Sequence, residues 1–129
     1  MANTINFVRG DAITHTFNIP TSAWSSGGKL FFVAKPAIDD DNTDAAAVIK
    51  KSWTDGSTSD VVIGGVAYKQ YACAFVPADT NSIPSNGAQN ADYLGEFQWV
   101  NAAGVPTTFP ATDPKLDCKV YFDVARGTT

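Results

Sequence analysis

Hydrophobic and polar positions alternate along most of this chain, most clearly between Tyr68 and Gly104. Tyr71, Cys73 and Phe75 share one parity, and further on Tyr93, Gly95, Phe97 and Trp99 share another. Successive side chains of an extended backbone point to opposite faces, so each set lines one face of a strand. Lys69 and Gln70 stand at the start of the first strand, and Glu96 and Gln98 alternate with the aromatic residues of the second. This suits an antiparallel sheet with one solvated side. Two strands with an aromatic face each predict half of a sandwich core, onto which the other apolar segments pack.

The remaining segments carry similar signals. TINFV predicts a short strand, Gly10 and Asp11 a turn, and Ala12 to Ile19 a second strand ended by Pro20, with Ile13, His15, Phe17 and Ile19 on one face. After the polar loop TSAWSSGG, the consecutive apolar residues of KLFFVAKP predict a strand covered on both sides. In AIDDDNTDAAAVIKKSW the Asp residues ahead of an Ala run also describe a capped helix, and the segment is read as an acidic loop and then a strand from Ala46 to Trp53, with Ile49, Lys51 and Trp53 on one parity. VVIGGVAY predicts two strands hinged at Gly64 and Gly65. Asn101 to Gly104 form a hairpin turn into VPTTF, and alternation from Leu116 to Val124 supplies the last strand. The count is seven or eight strands with turn signals at short intervals, the pattern of a β-sandwich.

Composition sharpens the class. Leu occurs three times and Glu once, while Val, Thr, Ile, Phe and Tyr are plentiful, so strand formers outweigh helix formers and the fold should be all-β. At 129 residues the chain fits one domain, 1–129. A net charge of -4 with two arginines gives no basic footprint, so nucleic acid and anionic membrane are not expected partners. No apolar run approaches the roughly 20 residues of a membrane span, and MANTINFVRGD lacks signal-peptide features. Cys73 and Cys118 both lie on the apolar parity of strands and are read as buried free thiols, with a disulfide as the alternative.

Candidate chemistry is sparse. His15, the one histidine, lies on a buried parity, so a catalytic triad has poor material and a core or edge role fits better. His15, Cys73 and Cys118 are scattered without zinc-ligand spacing. Asp39, Asp40, Asp41, Asn42 and Asp44 are oxygen ligands of the kind calcium takes, but lack the Gly and Glu positions of an EF-hand and read as a solvated loop. Arg9, Gly10 and Asp11 spell RGD, with the Gly-Asp pair sufficient as a turn. Trp24 sits in a polar loop and is the tryptophan most suited to an exposed sugar platform. No catalytic, cofactor-binding or metal-binding residue is assigned, and no cofactor is expected.

The order of these pieces resembles a family of small bacteriophage virion proteins. The matching residues are Arg9 to Asp11, Phe31 to Lys35, Asp39 to Asp44, Val48 to Lys51, Phe75 to Thr80, Tyr93 to Trp99, and Ala103 with Gly104. Similar modules stand at the N-terminus of upper-baseplate and fibre-attachment proteins. The resemblance implies an immunoglobulin-like antiparallel sandwich and a non-enzymatic structural role in the virion, in the tail or baseplate or at fibre attachment. The alternatives are a capsid decoration protein and a carbohydrate-binding module. Other virion proteins and copies of the same chain are the implied partners, met through Ala2 to Val8, Ala125 to Thr129, and the loops Pro20 to Gly28, Asp39 to Asp44 and Asn81 to Asp92.

Overall fold

The computed structural model describes residues 3–36, 47–85, 87–109 and 116–122. Within them the chain forms strands β1 (Asn3–Val8), β2 (Ile13–Pro20), β3 (Lys29–Lys35), β4 (Ile49–Trp53), β5 (Thr58–Ile63) and β6 (Val66–Phe75). One helical turn, α1 (Pro77–Thr80), precedes β7 (Asn90–Val100), β8 (Pro106–Phe109) and β9 (Leu116–Tyr121). The acidic loop Asp39 to Asp44 and the stretch Ala125 to Thr129 lie outside the described residues.

Two sheets make an all-β sandwich. The larger runs β1-β9-β7-β3-β4, with β8 also paired to β7, and the smaller runs β2-β6-β5. This is the immunoglobulin arrangement: β2, β6 and β5 take the places of strands B, E and D, and β3, β4, β7 and β9 those of C, C′, F and G. The described residues hold nine strands against the predicted seven or eight. One pair departs from the antiparallel rule, because β1 runs parallel to β9 with Asn3 opposite Leu116 and Val8 opposite Tyr121. The turn at Gly10 and Asp11 therefore carries the chain from one sheet to the other and does not close a hairpin. Its Asp11 N–H donates to Val8 O at 3.0 Å, and Gly10 N–H donates to the buried Thr80 Oγ1 at 2.8 Å.

The core lies between the sheets and is aromatic. Phe7, Phe32, Phe75, Phe97, Trp53, Trp99 and Tyr71 are all buried there, Tyr71, Phe75, Phe97 and Trp99 on the parities that β6 and β7 predict. Phe75 meets Phe7, Phe32 and Trp53 edge-on at 4.8, 5.6 and 5.1 Å between centroids, a favoured aromatic geometry. Phe17 on β2 stacks on Phe97 of β7 at 4.3 Å. Antibody domains staple the same two strands with a disulfide; here a pair of rings spans them.

Three details differ from the sequence prediction. In β3, Leu30, Phe32 and Ala34 are buried but Phe31 and Val33 are only half-buried, so the apolar run is covered fully on one face. The strand lies between β7 and β4, and these neighbours shield its outer side in part. β4 begins at Ile49, with Ile49 and Trp53 buried and Lys51 between them partly so. TINFV forms the predicted strand, but of the contact surface expected at Ala2 to Val8, Ile5 and Phe7 are turned into the core.

Candidate interaction surface

Among the described residues, the side chains singled out for possible chemistry are engaged within the fold. His15 Nε2 lies 2.9 Å from Asn6 O, an acceptor only, so this nitrogen carries the proton and ties β2 to β1 across the sheets. Its ring packs edge-on against Phe7 and Phe75 at 5.2 and 6.0 Å. Cys73 on β6 and Cys118 on β9 are buried free thiols, and burial pushes each up to about 12. Such thiols are poor nucleophiles at neutral pH. Burial first, and then Cys118 opposite it, raise the Tyr93 phenol. Among the described residues no group of three or more His, Cys, Asp or Glu is placed to hold a metal ion. No helix among them is long and apolar enough to cross a membrane.

The RGD arginine also has internal work. Arg9 Nη1 donates to Ile83 O at 2.8 Å, and its guanidinium lies 4.7 Å from the centre of the Phe122 ring. These contacts pin the segment after α1 and the end of β9 to the turn. Asp79 does the same for β4: its Oδ2 accepts from Lys51 Nζ and from the Val76 backbone N–H, both at 2.7 Å.

Trp24 corrects the sequence expectation of an exposed platform. Its Nε1 donates to the buried Tyr71 hydroxyl at 3.0 Å, and Lys69 Nζ covers the ring at 4.6 Å from its centre. The Trp99 Nε1 donates to the same hydroxyl at 3.1 Å. One phenol oxygen thus accepts two indole protons and anchors the Pro20 to Gly28 loop onto the core. Ile83, within the Asn81 to Asp92 segment, is likewise buried, and that segment joins β7 from Asn90.

The surface feature that sequence reading did not single out is the β5–β6 hairpin. Its two-residue turn has Gly64 at φ 58° and Gly65 at φ 82°, the left-handed region that glycine occupies without cost and that matches strand twist. Val62, Ile63 and Val66 around the turn are 72%, 52% and 47% exposed. Val62 lies on the same parity as the inward-facing Tyr71 partner Thr58, so the hairpin tip overshoots the sheet opposite. The signal was present in the sequence: Val61, Val62 and Ile63 in succession put apolar groups on both faces, more than one core-facing edge strand uses.

No family model matches the chain, and no curated protein matches it.

Proposed function

We propose that this chain is a non-enzymatic structural subunit of a bacteriophage particle, in the tail or baseplate or at the attachment of fibres. The observation that carries the proposal is the strand order, which is the immunoglobulin-like sandwich that the resemblance to small virion proteins implies. The placement of the polar side chains supports it. His15, Arg9, Asp79 and Trp24 each hold one part of the sandwich to another, and both thiols are buried. What the fold turns outward is loops and strand edges, the parts by which a small sandwich meets its neighbours.

The test is made on particles of the phage that encodes the chain. Purified virions are analysed by mass spectrometry and labelled with antibody in the electron microscope. The expected result is a protein present in stoichiometric amount, with label on the tail or baseplate. Label on the head surface would move the chain to the decoration role, and absence from washed particles would overturn the proposal.

A further inference from the structure

Sheet edges are where a β protein either invites or refuses another strand. Among the described residues the edges of the two sheets are differently guarded. β4 carries Lys50 and Lys51, β8 is four residues long and begins with Pro106, and β2 ends in Pro20. β1 has a core face and is tied to β2 through His15. β5, Thr58–Ile63, has no proline and no lysine, and its single charge is already matched, with Asp60 Oδ1 2.7 Å from Lys69 Nζ.

The backbone of β5 is also arranged for a partner. A two-residue hairpin loop makes Ile63 and Val66 a pair that exchanges both hydrogen bonds. By alternation Val61 and Ser59 also bond towards β6, and the peptide groups of Asp60 and Val62 face away from it. Among the described residues β5 pairs with β6 alone.

We infer that β5 is a homotypic docking edge, pairing antiparallel with β5 of a second copy about a two-fold axis at Val61. Every register centred on a residue keeps the inner face of one copy on the inner face of the other, so hydrogen bonds, charge and coverage decide among them. Centring on Ser59 pairs Thr58 with Asp60 twice over but sets Val61 against the partner's Ser57 and leaves Val62 and Ile63 beyond the strand pair. Centring on Asp60 sets two carboxylates directly opposite, which is unfavourable. Centring on Val62 leaves one exchanging pair and pushes Asp60 against the partner's glycine turn. Centring on Val61 matches Asp60 with Val62 twice over, giving four backbone hydrogen bonds and no facing charges. It also joins the outer-face residues Val61, Ile63, Val66 and Tyr68 of both copies into one apolar stripe, and turns two three-stranded sheets into one of six. A two-fold contact closes on itself, so the product is a dimer and not a filament. One strand pair lies near or below the low end of stable interfaces, about 1,200 Å², so the dimer is reversible. The inference rests on the assembly proposal for its purpose, while the contact belongs to the purified chain and is read without particles.

The experiment is sedimentation velocity of the full chain across concentration, with two variants. The wild type is expected to pass from monomer to dimer. Val61→Lys places two ammonium groups opposite each other at the axis and should weaken dimerisation about tenfold or more, with an unchanged melting temperature at concentrations where the wild type is monomeric. Val61→Cys keeps the size of the site. Paired across the axis at about 4.5 Å between Cα atoms, the new thiols should form an intermolecular disulfide with oxidised glutathione, and Ser59→Cys should not. A wild type that stays monomeric, open-ended polymers, equal cross-linking of Ser59→Cys, or a Val61→Cys that cross-links only to a different protein would each overturn the inference. Presence or absence of the chain in virions would be unaffected by any of these.

Discussion

Tyr71 does more for this fold than its volume suggests. Its hydroxyl accepts protons from Trp24 and Trp99, so losing that oxygen leaves two indole N–H groups without their partner at nearly constant volume. A buried donor left unsatisfied costs about 1–3 kcal/mol, and Tyr71→Phe is expected to cost about 2 kcal/mol in urea unfolding. Trp99→Ala removes the same bond and opens a cavity as well, with an expected cost of about 3–5 kcal/mol. Of a domain total of about 5–15 kcal/mol, that leaves little. The thiols act in another range. Their folded pKa of about 12 lies above the ordinary value of 9.0, so above pH 9 the unfolded chain releases protons that the folded chain retains. Both states are protonated below pH 9 and stability is unaffected there; from pH 9 towards 12 each thiol lowers it by about 1.4 kcal/mol per pH unit. Urea midpoints at pH 8.5, 9.5 and 10.5, as about evenly spaced test points across the onset of that window, should fall more steeply for the wild type than for the Cys73→Ala, Cys118→Ala double variant. Equal slopes would show that the thiols ionise freely in the fold.

At the level of elements, the close seating of β3 beside β7 depends on Gly28. A Cβ there would lie 2.6 Å from Val100 O and 2.8 Å from the Trp99 ring, and a strand backbone cannot yield as a flexible side chain can. Gly28→Ala is expected to cost about 1–3 kcal/mol or more, while Gly56→Ala, whose Cβ would meet only Thr54 Oγ1 at 3.8 Å, should change the melting temperature little. A Gly28→Ala protein as stable as the parent would mean that β3 can shift along β7. Elements whose signal is local were legible in the sequence. The parities of Tyr71, Cys73 and Phe75 and of Gly95, Phe97 and Trp99 gave their buried faces, and Gly64-Gly65 and Asn101 to Gly104 gave their turns. Asn101 Oδ1 accepts from Ala103 and Val105 N–H in that second turn, the local bonding that makes asparagine a turn residue. Pairing between distant segments was not legible. Nothing in TINFV says that it lies parallel to LDCKVY, 113 residues away at Asn3 and Leu116, because a strand's periodicity fixes its faces and leaves its neighbour open. Trp24 failed for the same reason: its partner Tyr71 is 47 residues distant, and a polar loop hides that anchor.

Across the whole molecule, the sandwich is closed by its first and last described strands. β1 and β9 run in the same direction over six register pairs, so the chain passes into β1 at the Leu116 end and out of β9 at the Val8 end, about 17 Å apart at about 3.3 Å per residue. A pull applied at Asn3 and Phe122 therefore draws the two strands past each other along their length. All the hydrogen bonds of the pair are loaded in shear together, whereas a hairpin pulled at its open end peels one bond at a time. In single-molecule force spectroscopy the fold should yield at a higher force when pulled at these two points than when pulled across the β5–β6 hairpin at Thr58 and Tyr71, which face each other at its open end. Equal forces would mean that the parallel pair is not the first barrier to rupture. Tension along the chain thus meets the β1–β9 pair with its bonds loaded together and not one after another.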